Sequence, residues 1–520
     1  MAHIVLINPR FEVSFWGMEH ALPLMGKRAS MPVSALPLLA ALVPPGHHVT
    51  LIDENVDSID FDALTSADLV GVTGMSVQRF RMREILTELK SRGVFTVVGG
   101  PWVTVNEAYF GDLVDVIFVG EADDTWPQFL DEWQQGKARK RYEQTERTDL
   151  TKLPTPKFEL LKMQHYLSGS IQFSRGCPFR CEFCDIIVTF GRRPRLKRTD
   201  QVIDELEALR TRRVRSIFIV DDNLIGNKKE VKKLLRKVIE YQKNHMYPFR
   251  LFTETSLDLA EDDELMELMV EANITRVFIG IESPNEASLR ETKKLQNIGK
   301  KATLIERVHR IQDAGLEVSA GMIMGFDSDT SNVFESHIEF IREARIICAM
   351  AGMLYAIPKT PLHARLAADC RIDENDLSEY GTNVIPLRLS RDELRDGYIR
   401  VMLALYDPNA FFDRVESLFL KRKVQFGRSA QFLRRAAPFA WVGRGVLNAV
   451  GAISLLTRLV MSVPDKALAR FYLSRVLRFT IARPDPSLIF YVVVSCAFHY
   501  HAHKLAKNLG ERADSLVSTI

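Results

Sequence analysis

Short β-branched runs alternate with amphipathic stretches in two successive series, and this alternation limits the chain to parallel sheets covered by helices. The first series predicts strands at Ile4–Ile7, Val49–Ile52, Leu69–Thr73, Phe95–Val98 and Val116–Val119, with helical patterns such as Ser34–Leu42 and Arg79–Arg92 between them. The second predicts strands at Ser170–Phe173, Ser216–Val220, Arg250–Thr253, Arg276–Ile279, Glu317–Ile323 and Met350–Ala356, separated by helices such as Thr199–Arg212, Lys228–Asn244 and Gly299–Ala314. Six repeats of strand then helix fit a partial or full β/α barrel, where active sites sit at the carboxyl face. Residues 136–168 are polar and irregular, with Pro154 and Pro156, and read as a linker. Beyond about residue 390 the periodicity becomes helical. The fold class is therefore α/β: a doubly wound parallel-sheet domain over 1–135, a linker over 136–168, a barrel over 169–390 and a mainly helical region over 391–520. That division suits a chain of 520 residues, long enough for about three domains.

A net charge of +3 gives the whole molecule no strong electrostatic attraction for nucleic acid. The start, Met1 to Arg10, has no basic segment followed by a long apolar one, which predicts a cytoplasmic protein without a signal peptide. Six cysteines do not make a secreted disulfide framework. Cys348, Cys370 and Cys496 are isolated and are expected as small buried hydrophobes.

The other three cysteines carry the chemistry. Cys177-Pro-Phe-Arg-Cys181-Glu-Phe-Cys184 has the spacing C-x3-C-x2-C directly after a predicted strand, with Gly176 before it. Thiolates are soft ligands suited to iron–sulfur clusters. Three of them on one tight loop can hold three irons of a 4Fe–4S cube and leave the fourth open to a non-protein ligand. Zinc is the alternative, but structural zinc sites prefer four ligands and paired C-x2-C knuckles, and the sequence has no second pair.

With this spacing the chain resembles the radical S-adenosylmethionine (SAM) superfamily. The resemblance implies that SAM chelates the open iron and is cleaved there to a 5′-deoxyadenosyl radical. It places Phe183 against the adenine and Asp221-Asp222-Asn223, at the end of the second barrel strand, on the SAM amino group. It places Glu282, in Gly280-Ile281-Glu282-Ser283, on the ribose or amino acid moiety, and Gly325-Phe326-Asp327 resembles the next motif. A lone acidic residue could equally be a surface carboxylate or helix cap; four motifs in order at successive strand ends make that reading poor for the set.

The first domain then resembles the cobalamin-binding domain of the same superfamily. The matches are Gly46-His-His-Val-Thr-Leu-Ile-Asp53, Val97-Val98-Gly99-Gly100-Pro101 and Asp115-Val-Ile-Phe-Val-Gly120-Glu121, and the predicted strand ends carry Asn8-Pro9-Arg10, Gly74-Met75-Ser76, Gly99-Gly100-Pro101 and Gly120-Glu121. Glycine lets backbone approach a ligand closely, and open parallel sheets bind ligands beyond these ends. By analogy the cofactor's nucleotide tail runs along Ser76, Gly99, Gly100 and Gly120, with Glu121 beside it. The D-x-H-x-x-G pattern that supplies a cobalt ligand elsewhere is absent, and Trp102 follows Gly-Gly-Pro where many relatives have histidine. Both departures imply cobalt without a protein histidine below it. A flavodoxin-like domain binding another nucleotide is the alternative. The methylthiotransferase branch is excluded, because residues 1–176 contain no cysteine for a second cluster.

Between Ser417 and Arg483 stand thirteen Lys or Arg and one acidic residue, Asp465, interleaved with the apolar runs Ala436–Val442, Val446–Leu456 and Leu459–Val463. This region reads as an amphipathic surface on an anionic membrane, as a helical face packed on the barrel, or, last, as a nucleic-acid contact. Pro486–His503 is short for a membrane-spanning helix. Across its length the chain resembles the bacterial hopanoid methylase group, through Asn8-Pro9-Arg10, Ser14-Phe15-Trp16-Gly17, Cys184-Asp185-Ile186, Gly191-Arg192-Arg193 and the helical tail.

The resemblance implies methyl transfer to an unactivated carbon of a hydrophobic, hopanoid-like lipid, using a 4Fe–4S cluster, SAM and cobalamin. It implies a flavodoxin- or ferredoxin-type reducing electron donor and peripheral association with the inner face of the membrane, without nucleic acid. Asp185, Arg175 and Trp16 are candidate cavity residues. Radical cyclisation or rearrangement with the same cofactors, and a sensor without turnover, are the competing readings.

Overall fold

A computed structural model of the chain describes residues 1–299, 301–375, 381–422, 424 and 428–516. Lys300, within the predicted helix 299–314, and Lys423, within the basic tail, lie outside the described residues. The chain divides into two compact units: residues 1–12, 28–226 and 356–368 form the first, and residues 13–27, 227–355 and 369–520 the second.

The first unit is built on a six-stranded parallel sheet. Its strands are β1 (His3–Asn8), β2 (His48–Asp53), β3 (Leu69–Thr73), β4 (Thr96–Gly99), β5 (Val116–Val119) and β6 (Arg141–Glu143), in the order β2-β1-β3-β4-β5-β6. Alternation along the strands divides the apolar residues between two faces. Val5, Ile7, Val70, Val72 and Val98 pack with Met82, Ile85, Leu86 and Leu89 of the helix Arg79–Ser91. Ile4, Leu6, Leu69, Val97 and Phe118 face Trp126, Phe129 and Leu130 of the helix Thr125–Gln134. Both faces are thus buried, which is why these strands read as continuous apolar runs.

The irregular linker expected over 136–168 is instead a packed part of this unit. It contributes β6 as the last strand, and Tyr142, Leu150, Leu153, Phe158, Met163 and Tyr166 are buried. Its signal is weak because β6 has three residues and only Tyr142 between charged neighbours faces the core. The run Ser170–Phe173 is split: β7 (Gly169–Ile171) pairs in parallel with β10 (Ser216–Ile219), while β8 (Ser174–Arg175) pairs antiparallel with β9 (Arg195–Leu196).

In the second unit β11 (Arg250–Thr255), β12 (Ile274–Glu282), β13 (Glu317–Met324) and β14 (Ala349–Met353) are parallel neighbours in that order. Helices such as Lys228–Asn244, Leu304–Ala314 and Val333–Glu343 follow the strands. The tail of this unit is helical: Arg391–Leu405, Pro408–Glu416, Ser429–Ala436, Pro438–Ser462, Lys466–Ala482 and Pro486–Glu511. The last of these is a core helix, longer than the apolar run suggested, with His499 and His501 fully buried. Phe15 packs edge-on against Phe498 and tilts against Tyr406. Cys348 and Cys496 are buried as expected; Cys370, at φ +55, is exposed.

Candidate active site

Cys177, Cys181 and Cys184 lie on the loop that leaves β8 and returns at β9, and none of the three is in a disulfide. The loop is fixed by close backbone packing. Gly176 adopts φ +95, and a Cβ there would stand 2.8 Å from the Gly191 carbonyl oxygen, so no side chain fits. The Cys177 amide donates to that same carbonyl at 3.3 Å, and the Cys184 amide donates to Cys181 O at 3.3 Å. From the other side the Leu362 amide donates to Glu182 O, and Arg365 Nε reaches Glu182 Oε2 at 3.3 Å. Burial, the Asp185 carboxylate and the two other thiols push the Cys184 thiol well above its ordinary range.

Among the described residues no three His, Cys, Asp or Glu side chains are placed to hold one metal ion. A cube asks for something different, since each thiolate takes its own iron. Three thiols on one loop held by close backbone packing, with the Cys184 thiol pushed up beside the other two, fit a cationic iron core that offsets their charge.

The segment Asp221-Asp222-Asn223 follows β10 and meets the cysteine loop. Asp221 is fully enclosed; its two oxygens accept from the Phe173 amide at 2.7 Å and the Ser174 hydroxyl at 2.6 Å. Asp222 Oδ2 accepts from the Gly176 amide at 2.8 Å, and Asn223 Nδ2 stands 4.0 Å from Cys177 Sγ. Burial pushes the Asp221 carboxyl up to about 6 and the Asp222 carboxyl up to about 7. Phe183 is half-buried on the loop between the second and third cysteines.

The carboxyl edge of the six-stranded sheet carries the other predicted residues. Gly100 has φ +102, and a Cβ on it would stand 2.5 Å from Thr73 Oγ1 and 3.0 Å from the Gly74 backbone. Gly120 has φ +83; a Cβ on it would stand 3.1 Å from the Gln144 carbonyl oxygen, and its amide donates to Thr104 Oγ1. Packing against the chain itself therefore already requires these glycines. Beside them Ser76 is half-buried and Met75 exposed. The buried Trp102 Nε1 has no hydrogen-bond partner. A polar knot that the sequence did not reveal closes the same edge: Asn8 Nδ2 donates to Asp53 Oδ1 at 3.0 Å, Tyr166 OH to Asp53 Oδ2 at 2.8 Å, and Gln78 Nε2 to Asn8 Oδ1 at 2.9 Å.

Glu121, expected beside the cofactor tail, has both oxygens engaged by arginines. Arg175 Nη1 donates to Oε1 at 2.8 Å and Arg195 Nη1 to Oε2 at 2.9 Å. Asp123 joins them, accepting from Arg175 at 2.5 Å and from Thr148 Oγ1 at 2.9 Å.

In the second unit Glu282 ends β12 at φ +66, a left-handed backbone rarely held by a glutamate. Such strain, about 1–3 kcal/mol, concentrates at functional sites. Its carboxylate is 2.7 Å from Lys294 Nζ, and its carbonyl faces the buried His337 Nε2 at 3.3 Å. In the stretch after β13 the bracing side chain is Asp329, two residues past the predicted Asp327: it accepts from the Gly325 and Phe326 amides and from Ser288 Oγ. Asp327 instead pairs with Arg371 at 2.5 Å.

The strands of this unit have one face buried by Val277, Ile279 and Ile281. On the other face Phe278 and Gly280 of β12, Ile323 of β13, and Met350 and Gly352 of β14 are only partly covered. Gly280 is in register with Gly321, Gly321 with Met350, and Ile323 with Gly352. The Phe278 ring covers Gly321, the exposed Trp16 meets Phe278 at 5.1 Å, and a Cβ placed on Gly352 touches nothing within 4 Å. Glycine within strands marks close approach of a ligand or another backbone.

The radical SAM superfamily profile matches residues 171–341, the B12-binding domain profile residues 29–130, and a domain of unknown function residues 360–515. An uncharacterized methyltransferase from Synechocystis sp. is 40% identical, over 80% of this chain and 78% of its own length. The hopanoid C-2 methylase of Rhodopseudomonas palustris is 34% identical, over 79% of this chain and 78% of its own length. The chain belongs to the cobalamin-dependent radical SAM methyltransferases. A solved cobalamin-dependent radical SAM enzyme, OxsB, shares the fold with a TM-score of 0.59 at 14% identity, covering 100% of this chain and 82% of the other. The radical SAM methyltransferase TsrM from Kitasatospora setae, solved with cobalamin and a [4Fe-4S] cluster, gives 0.58 at 17% identity, covering 82% and 83%. As a member of this family the protein is a C-methyltransferase, and its cofactors are the 4Fe–4S cluster, SAM and cobalamin.

Proposed function

We propose that this methyltransferase places a methyl group on an unactivated carbon of an apolar, polycyclic lipid of the hopanoid type. The observation that carries the reading is the open inner face of β12, β13 and β14, where Phe278, Ile323 and Met350 with Trp16 offer apolar surface and Gly352 leaves room. Such a face suits a flat hydrocarbon better than a charged substrate, whose desolvation it would not offset. The 34% identity to a hopanoid C-2 methylase points the same way.

When bound, the cluster with SAM supplies hydrogen-abstracting radical chemistry and cobalamin supplies the methyl group. The chain's task is to hold and orient. Cys177, Cys181 and Cys184 hold the cluster, and Phe183 packs on the adenine. Asp222 and Asn223 serve the SAM amino group, whereas Asp221, with both oxygens engaged, braces the loop. The family resemblance extends the SAM assignment to Glu282. Ser76, Gly99, Gly100 and Gly120 line the cobalamin tail, and Glu121 fixes that edge through its arginines. No side chain acts as base on the substrate, because an unactivated C–H lies beyond the reach of any protein base.

The reducing electron comes from a flavodoxin- or ferredoxin-type donor, for which the exposed Arg180, Arg192 and Arg193 on the cluster loop offer a basic landing site. The enzyme works in the reducing cytoplasm, where free thiols persist, peripheral on the inner face of the membrane that holds such lipids. Anaerobic incubation with SAM, cobalamin, a reductant and a bacterial lipid extract tests the reading by mass spectrometry. A lipid gaining one CH2 supports it; turnover of SAM with no methylated lipid rejects it.

A further inference from the structure

The helix Pro438–Ser462 is the longest apolar helix among the described residues that remains largely uncovered. It is long and apolar enough to cross a membrane by length and composition, yet only 17% of its most apolar window is buried. Its two sides differ. Ala452, Leu455 and Leu459 are buried, and the helix packs on Pro486–Glu511. On the opposite side Phe439, Val442, Val446, Val450, Ile453 and Met461 recur at spacings of three, four and eight and are exposed, Phe439 to 92% and Ile453 to 67%. At a helical period of 3.6 residues these fall on one stripe. Contiguous exposed apolar side chains rimmed by polar residues mark an interaction or membrane-contacting surface.

The charges around the stripe identify what covers it. Within the helix the only charged residues are Arg444 and Arg458, and both turn back to the protein: Arg444 donates to the carbonyls of Met246 and Tyr247, Arg458 to that of Leu24. The stripe itself is free of charge. At its ends stand exposed cations: Arg434 and Arg435 before it, Lys466 and Arg470 after it. The following helix, Lys466–Ala482, adds exposed Leu473, Leu477 and Ile481, four residues apart, beside exposed Arg470 and Arg478.

We propose that these two helices lie in the plane of an anionic lipid bilayer, with the apolar stripe sunk among the acyl chains and the flanking cations at the phosphates. Apolar side chains framed by Lys and Arg match the interface between hydrocarbon and acidic headgroups. A spanning orientation fails on two counts. One flank of Pro438–Ser462 is already packed on protein, and spanning would carry Arg444 and Arg458 into hydrocarbon.

The inference builds on the peripheral location proposed above, but vesicle binding reads it out without any turnover. Failure here leaves methyl transfer standing, and failure of methyl transfer leaves vesicle binding standing. The full chain is mixed with vesicles of phosphatidylcholine alone or with added phosphatidylglycerol, and bound protein is separated by flotation. Val446 and Val450 face outward, so V446E/V450E keeps the melting temperature of the parent. The proposal expects binding to the anionic vesicles, weakened about tenfold or more by V446E/V450E. It also expects R434Q/R435Q to bind less and to lose part of the salt sensitivity. Equal vesicle binding by the parent and V446E/V450E overturns the proposal. So does a parent that ignores vesicles but self-associates through this stripe, shown by sedimentation velocity and abolished in V446E/V450E.

Discussion

Arg175 Nη1 donates to Glu121 Oε1 at 2.8 Å, with both side chains buried. Glu121 follows Gly120 at the end of β5, on the carboxyl edge of the B12-binding sheet, and Arg175 precedes Gly176 and Cys177. One ion pair therefore ties that sheet edge to the cysteine loop. Asp123 and Arg195 complete a set of two carboxylates and two guanidinium groups in which every charge faces an opposite one.

Truncating one member leaves an uncompensated buried charge, at a cost of about 3–5 kcal/mol. R175M is accordingly expected to lower the unfolding free energy from urea titration by that much, and R175K to recover part of it. A positioning role makes a second demand. The variant loaded with cluster should still cleave SAM, while methylated product per SAM cleaved falls. A fixed ratio of product to cleavage in R175K and R175M would reduce the ion pair to a purely structural strut.

Gly352 is half-buried on the inner face of β14 and an added Cβ meets no atom within 4 Å. G352L should fold as the parent does and fill space otherwise open to substrate. Methylation is expected to drop about tenfold or more, the range that one misplaced aliphatic group costs in a shaped pocket, with SAM cleavage retained. Unchanged lipid methylation in G352L would place the substrate elsewhere.

Two buried imidazoles contribute to the pH dependence of stability. His499 Nδ1 meets Tyr472 OH at 2.7 Å and Nε2 meets Tyr406 O at 3.1 Å; His501 Nε2 meets Ser14 O at 2.8 Å. Burial pushes His499 down to about 3 and His501 down to about 4 from the ordinary 6.5. Below pH 6.5 the unfolded chain binds protons that the folded chain refuses, so their contribution is intact above 6.5 and is lost as pH falls. Each imidazole accounts for up to about 1.4 kcal/mol per pH unit across that window. Glu19, Asp221 and Asp222, all raised by burial, act in the opposite sense. The expectation therefore concerns a difference: from pH 6.5 to 5, H501Q should lose about 2 kcal/mol less than the parent. Parallel urea midpoints of the two proteins would contradict it.

Local signals carried most of what was legible in the sequence. The β-branched runs matched β3 and β5 to the residue and the other long strands to within a few, while the short β6, β8 and β9 left no such run, and the cysteine motif stood directly after a strand. Pairings across the sequence stayed hidden. Glu121 lies 54 residues before Arg175, and nothing local distinguishes a carboxylate that meets two arginines from one that meets a cofactor. The part of Asp329 was hidden as well, because only the turn after β13 decides which carboxylate reaches the Gly325 and Phe326 amides. The glycines of β13 and β14 were visible, but their shared face depends on the register between strands. In the tail, composition announced a basic apolar surface; which side of Pro438–Ser462 is covered required the packing of the final helix.

The proposed chemistry requires an iron–sulfur cube held at three corners by Cys177, Cys181 and Cys184. Its most direct test is electron paramagnetic resonance of the anaerobically reconstituted, reduced protein before and after SAM is added. The expected result is a [4Fe-4S]⁺ signal whose g values move on addition of SAM and which is absent from C181A. A protein that binds zinc at these thiolates, or a cluster signal indifferent to SAM, would contradict it.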